Sequence, residues 1–434
     1  MEEILARAKK AAQTAEVFQV SSEETSVRFE ANKLKQLQTS QSTSVALRVV
    51  NNGRIGYATT TGSGDAETLV ANAVETAEFG TEAKFQFPGK EKYPKTDVFD
   101  PAVNDISTQE MVELGEAMIT AVTAFTPGIM CEGSVSRGTI TVRLMNSKGG
   151  QAEFKKSYFG IGVEGTVING SDMLFVGESD SSCHPLTNPK TVIDTVLLQL
   201  ERAKNQAKSA TKKMPVIFTA DGVASSLLMP LMSAFNGKVV LEGASPLAKK
   251  LGQKAFDTAL NIYDDPTIEY RPGSRPCDDE GVPSQRTALI EKGIVKNFLY
   301  DLQTAALAGK KSTGSGNRCR GSLPAPAPSA LVITPGKTTF DDMVADIKEG
   351  LVVEQLMGAE QGNILGGDFS GNVLLGYKIE NGKLAGRVKD TMVSGNVYQM
   401  LKDIAAIGSE TKWVGSFCQT PPFYCKGLSV SSKR

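Results

Sequence analysis

The sequence predicts an α+β protein: a duplicated helix and antiparallel-strand region, then an antiparallel β-rich C-terminal domain with packed helices. Three observations lead there. Helical stretches with one apolar side alternate with short strand-like runs of alternating apolar and polar residues. Asn-Gly and Lys-Gly turn signals join neighbouring strands, as antiparallel hairpins require. No stretch reads as a strand-helix-strand crossover, which disfavours a Rossmann core.

The first unit spans 1–80. A helix is expected near Glu2–Ala15, then strands "AEVFQVSS", "TSVRFEAN", "TSVALRVVNN" and "RIGYATTT", with a turn at Asn51–Arg54. A helix near Asp65–Phe79 closes the unit, with Leu69, Ala73 and Val74 on one side. Residues 81–104 are rich in proline and charge and read as an extended connector. The second unit, 105–211, repeats the order: a helix near Thr108–Phe125, antiparallel strands through "MLFVGESD", and a long helix near Pro189–Ala210. The C-terminal domain, 212–434, opens with the strand "PVIFTA" and a buried helix, Asp221–Gly237. Asp221 is its expected N-cap and Gly237 its stop. Hairpins are expected at Lys292–Gly293 and Asn381–Gly382, and helices near Asp301–Ala308, Phe340–Glu349 and Val397–Ala406.

The 434 residues are 40% hydrophobic and 22% charged, which suits two or three globular domains. Forty-seven basic residues balance 48 acidic ones, so charge gives no argument for nucleic-acid binding. The N-terminus lacks an apolar signal core, and no run is long and apolar enough to span a membrane, so a cytoplasmic chain is expected. Six scattered cysteines without a CxxC pair suit reduced thiols.

Few residues point to chemistry. The one histidine, His184, cannot build a zinc site that needs two or three imidazoles, and no GxSxG elbow accompanies it. Cys183 beside it is poorly placed to share an ion, because adjacent side chains rarely converge. Cys418 and Cys425 lack zinc-knuckle spacing. Met229 and Met232 fit core packing better than Cu(I) binding. Pro230 inside the same helix should kink or break it. "KKSTGSGNRCRGS" carries Lys310, Lys311, Arg318 and Arg320 on a glycine-rich loop that could cradle an anion, though a mobile surface loop is the simpler reading. Asp278, Asp279 and Glu280 could hold a hard cation, but successive acids in a turn are usually solvated. In "GGDFSGN" the glycines permit close approach of a ligand or another strand. Gly366, Gly367, Asp368, Phe369 and Ser370 are therefore candidate ligand contacts, with Ser394, Gly395 and Asn396 of "SGN" second.

The stretches "DDEGVPSQRTALIEKGIVKNFLYD", "KSTGSGNR", "GLVVEQLMG" and "GGDFSGNVLLGYKIENGKLAGRVKDTMVSGNVYQML" occur in an order that resembles the TldD/PmbA family, formerly called modulator of DNA gyrase. The resemblance implies a two-subunit metalloprotease. A TldD-type subunit carries zinc on a His-Glu-x-x-x-His helix, with a cysteine near the C-terminus as a further ligand. A TldE-type (PmbA) subunit has the same fold without the ligands. Laid on this sequence, the two histidine positions fall on Met229 and Ala234, the glutamate on Pro230, and the cysteine near Cys418. The resemblance thus implies a non-catalytic subunit that binds no cofactor itself. It would position unfolded peptide beside a zinc-bearing TldD-type partner, with main-chain pairing at exposed, glycine-flanked sheet edges. Filling the ligand positions with apolar side chains should leave the site closed. The alternatives are a stand-alone homodimeric regulator, related to gyrase or a toxin–antitoxin pair, and a hydrolase using Cys183 or Cys418.

Overall fold

The computed structural model describes residues 1–62, 64–319 and 322–433. Its N-terminal half is built from two copies of one pattern. The first runs α1 (Glu2–Ala11), β1 (Thr14–Glu30), β2 (Lys33–Asn51), β3 (Arg54–Thr61) and α2 (Ala66–Thr76). After a one-turn helix α3 (Ala102–Asp105), the second runs α4 (Thr108–Phe125), β4 (Met130–Asn146), β5 (Gln151–Asn169), β6 (Asp172–Ser182) and α5 (Lys190–Arg202). The copies share one sheet in the order β3-β2-β1-β4-β5-β6, joined where β1 and β4 pair antiparallel from Glu16↔Asn146 to Phe29↔Gly133. "AEVFQVSS" and "TSVRFEAN" are a single strand: residue-by-residue pairing with β2 and β4 runs without a register shift through the polar "SSEET" between them, so side chains keep alternating between the two faces.

That alternation gives the sheet two different faces. Val17, Val27 and Phe29 point to the helices. Val17 packs with Leu5, Ala8 and Leu69, and the other two pack with Met111, Met118 and Val122. The opposite face turns toward the C-terminal half, where Phe18, Ala46 and Leu144 meet Cys277. Local signals fix the helix starts. Ser107 and Glu110 form a capping box on α4, and Asp65 caps α2.

In the C-terminal half, β7 (Lys212–Phe218) leads into α6 (Ala220–Phe235). β7 lies between the strand Phe423–Ser432, antiparallel, and the strand Glu349–Met357, parallel. A second parallel pair joins Leu331–Ile333 to Cys418–Thr420. These pairings join stretches far apart in sequence, so no hairpin signal announces them. The helix expected near Phe340–Glu349 is Phe340–Ala345, and that expected near Val397–Ala406 is Val397–Met400 followed by the strand Ile404–Ile407. The cap of α6 is Thr219, whose hydroxyl accepts from the Gly222 amide, while Asp221 sits in the first turn. Asn236, not Gly237, ends the helix, and Gly237 opens the next one. Gly222 itself is fixed by packing: a Cβ there would lie 2.3 Å from the Val353 carbonyl oxygen.

Pro230 does not break α6, which continues to Phe235. Leu227, Leu228, Leu231 and Ala234 are buried around it in the largest apolar cluster. Each of these leucines contributes about 1.5–3 kcal/mol. Together they outweigh the ~3 kcal/mol penalty of an interior proline.

Candidate functional site

Strands of the N-terminal sheet, together with Asp221, Gln355 and Leu374 of the C-terminal half, line a groove of about 620 Å³. Its floor crosses β1, β4, β5 and β6 on the sheet face away from the helices. Small residues line much of it, including Ser134, Gly162, Gly177 and Ser179. Glu132 and Glu164 face each other directly across β4 and β5, and Asp221 and Gln355 form the far wall. At that wall the Lys412 ammonium bonds Glu178 and lies 2.8 Å from Asp221 Oδ2. Burial pushes the Glu178 carboxyl up, against the pull of Lys412. Burial also works against the Lys412 charge, but the two carboxylates outweigh it and its pKa rises. The cluster thus joins β6 to the start of α6 across the groove. The sequence reading missed Glu132, Glu164, Glu178 and Lys412. The two strand glutamates carry a period-two signal, but their meeting depends on the register of β4 with β5.

The two glycine-rich candidate stretches come together. Asp368, Phe369 and Ser370 pair with Asn396, Gly395 and Ser394 across adjacent antiparallel strands. The Asn396 amide donates to the Gly366 carbonyl (2.7 Å) and to Asp368 Oδ1 (2.8 Å). Strand Asp368–Glu380 is flanked on both sides over part of its length, and Thr391–Asn396 lies between it and Phe423–Ser432. Asp368–Gly371 has Thr391–Asn396 on one side, while among the described residues no strand pairs with its other side, because Glu349–Met357 pairs only from Asn372 onward. Phe369 is buried and stacks edge-on with Phe218, so it serves the core rather than a ligand. Gly367 adopts φ +79°, and a Cβ there would lie 2.5 Å from the Tyr398 ring. Gly366 and Asn396 do reach a second groove, of about 610 Å³, with Lys250, Lys254 and Lys402 around it. Ser394, Gly395 and Asn396 line a smaller one nearby.

Met229, Pro230 and Ala234 lie on α6, and the strand holding Cys418 packs into the same core as Ala234. Ala234 and Cys418 are fully buried, whereas Met229 is 50% exposed. The degenerate position 229 is therefore not sealed by packing, contrary to the expectation of a closed site. Burial pushes the Cys418 thiol up to about 12, which favours its neutral form in the apolar core. One thioether, one alanine, one proline and a single thiol do not fit a zinc ion, which needs several imidazole, carboxylate or thiolate donors. Burial likewise pushes Cys183 up to about 11, and it is buried while the neighbouring His184 is exposed. That arrangement favours neither an activated thiol nor a shared ion. His184 Nδ1 lies 2.6 Å from Asp100 Oδ2, and its ring stacks on Tyr270.

The acids of "CDDEGVP" are not solvated. Asp278 and Glu280 are buried where the C-terminal half meets the N-terminal sheet. Arg48 Nη1 reaches Glu280 at 2.6 Å and Arg48 Nη2 reaches Glu16 at 2.9 Å, while Arg318 also bonds Glu16. Asp278 accepts from the amides of Glu280, Val282 and Gly316. Burial and then Glu280 raise its pKa. Arg318 is thus a buried ion-pair partner, not part of a mobile surface loop; Arg320 lies outside the described residues.

Residues 211–432 match the PmbA/TldA metallopeptidase C-terminal domain, and residues 15–78 match PmbA/TldA metallopeptidase domain 1. The chain belongs to the PmbA/TldD family. It is 28% identical over 407 residues, 93% of each chain, to an uncharacterized protein of Methanocaldococcus jannaschii. It is 31% identical over 200 residues to a metalloprotease TldD homolog of Haemophilus influenzae, covering 46% of this chain and 41% of that protein. Its fold matches TldE from Thermococcus kodakarensis with a TM-score of 0.90 over 100% of both chains, at 23% identity. No helix among the described residues is long and apolar enough to cross a membrane.

Proposed function

We propose that this chain is the non-catalytic, TldE-like subunit of a cytoplasmic TldD/TldE-type peptidase complex. In this role it holds an unfolded peptide beside a zinc-bearing TldD-type partner. The observation that carries the reading is the donor-poor helix α6. Where the family resemblance puts two histidines and a glutamate, the chain has Met229, Ala234 and Pro230. A hydrolytic zinc needs about three protein ligands and a bound water of pKa ~7, and no carboxylate stands at position 230 to serve as the general base.

The binding half of the role draws on the grooves. The floor of small side chains beneath Glu132 and Glu164 leaves room for an extended main chain. Gly366 and Asn396 open onto the lysine-rimmed groove, which offers a peptide side-chain contacts beside the one-sided strand stretch Asp368–Gly371.

The test is reconstitution. The chain is mixed with a His-Glu-x-x-x-His relative from the same genome and with an unfolded peptide. The two should co-purify, and the mixture should cleave faster than the relative alone. Chelator-sensitive cleavage by this chain alone would reject the reading, as would a relative that neither binds it nor responds to it.

A further inference from the structure

The two larger grooves differ in charge. Glu132 and Glu164 are exposed on the floor of the first. The second, of about 610 Å³, has no acid in its lining, and its charged residues are Lys250, Lys254 and Lys402, all exposed.

The fold brings these lysines together from two places. Lys250 and Lys254 lie on the irregular segment 246–256, and Lys402 follows the helix Val397–Met400. Gly252, at φ +74°, turns the chain between the first two. Hydrogen bonds tie the segment down along its length. The Leu247 amide donates to Ser245 Oγ (3.1 Å), the Gly252 amide to the Val295 carbonyl (2.8 Å) and the Asp257 amide to the Leu401 carbonyl (2.8 Å). The last of these holds the two walls side by side. Leu247, Phe256 and Tyr398, all buried, supply apolar lining among the charges.

The lysines have no acidic partner of their own. Lys296 and Lys426 of the same half pair with Glu291 and Asp403, whereas Lys250, Lys254 and Lys402 form no ion pair among the described residues. Lys402 Nζ bonds the Gln399 side-chain oxygen at 3.3 Å. The acids next in sequence to the lining are engaged elsewhere. Asp257 Oδ1 accepts from the Ala259 amide, Asp368 Oδ1 from the Asn396 side chain, and Asp403 Oδ1 from Lys426. Three like charges around one groove repel each other, and an anionic occupant relieves that repulsion.

We propose that this groove binds an acidic stretch of an unfolded peptide, with carboxylate side chains set against Lys250, Lys254 and Lys402. The proposal rests on the peptide-binding role proposed above and names the class of peptide, one rich in Asp and Glu. A chain suits the site better than a small anion, which would leave the apolar lining unused. The groove also begins at Gly366, beside the one-sided strand stretch Asp368–Gly371. Glu132 and Glu164 repel the same peptide from the first groove, so charge directs the acidic stretch to the second. Exposed ion pairs are weak one by one and are screened by salt. The preference therefore needs the lysines together and fades at high ionic strength.

Fluorescence anisotropy with the full chain tests it. Two labelled unfolded peptides of equal length are compared, one with Glu at alternate positions and one with Gln in their place. The Glu peptide should bind about tenfold tighter at low salt, and the advantage should shrink at about 0.5 M salt. Lys250→Gln/Lys254→Gln/Lys402→Gln should abolish the advantage while binding the Gln peptide as wild type does. Lys9→Gln/Lys10→Gln/Lys92→Gln removes the same charge from exposed positions of the N-terminal half and should keep it. Should the first variant fail to fold, Lys254→Glu supplies the reading, and it should cut the advantage by about threefold. An advantage that survives in a folded groove variant, or that is lost equally in the N-terminal variant, would overturn the proposal and leave the peptide-binding role standing. Equal binding of the two peptides by wild type would do the same. Binding of neither peptide would overturn both. A single-stranded oligonucleotide that binds tighter than the Glu peptide, and is released by the same groove variant, would assign the groove to nucleic acid and overturn the proposal.

Discussion

Two buried regions of this protein reverse what their sequences suggest. Helix α6 occupies the place where the family resemblance puts metal-binding side chains, yet Leu227, Leu231 and Ala234 make it part of the apolar core. The turn Cys277–Glu280 reads as solvated surface, yet it is the most charged part of the interior, with Glu16, Arg48 and Arg318 packed against it. The difference teaches where charge is used. Buried ions here join the two halves of the chain to each other; they do not gather around a vacant coordination site. A charge buried for that purpose is costly unless every partner is present.

The largest expected effect follows from that cost. Arg48→Met leaves Glu16 and Glu280 buried beside too little positive charge. It should destabilise the fold by about 3–5 kcal/mol in urea denaturation. A loss under about 1 kcal/mol would mean that the junction does not hold the halves together.

Glu354 sharpens the comparison, being a buried acid that meets α5 of the N-terminal half, where Gln199 donates to it and Arg202 pairs with it. Burial pushes it up to about 7 against the pull of Arg202. A folded pKa above the unfolded value means that the neutral acid is favoured. Its stabilising contribution is full below about pH 4 and is lost as pH rises through 7. Glu354→Gln keeps a neutral group in place and should melt higher than wild type at pH 8, by about 1–3 kcal/mol. The gap should close toward pH 4. A pH-independent difference would mean that Glu354 is not held neutral.

The smallest effect is expected on α6 itself. Met229 is half exposed, so Met229→Ala should cost less than about 1 kcal/mol in thermal unfolding. A cost of several kcal/mol would show that position 229 is sealed by packing after all.

Most of the N-terminal architecture was legible, because it is written locally. Ser107 and Glu110 mark the start of α4, and Asn52–Gly53 marks the β2–β3 turn. The charged junction was not legible. Arg48 and Glu280 are 232 positions apart, and no local pattern tells a buried acid with a distant arginine from a solvated one. Pro230 misled for a related reason. Helix propensity weighs the residue by itself, whereas the leucines around it decide the outcome. The two glycine-rich candidates read as separate ligand contacts, and only the register Asp368↔Asn396 reveals that they bond each other. The groove was invisible because its small residues, Ser134, Gly162 and Ser179, come from three different strands.

Metal content tests the central claim most directly. The isolated chain, purified without chelator and exchanged into zinc-containing buffer, is dialysed and assayed by elemental analysis alongside peptide cleavage. The account predicts far less than one zinc per chain and no hydrolysis above background. One tightly held zinc per chain, with cleavage that disappears when the zinc is stripped and returns when it is restored, would contradict it.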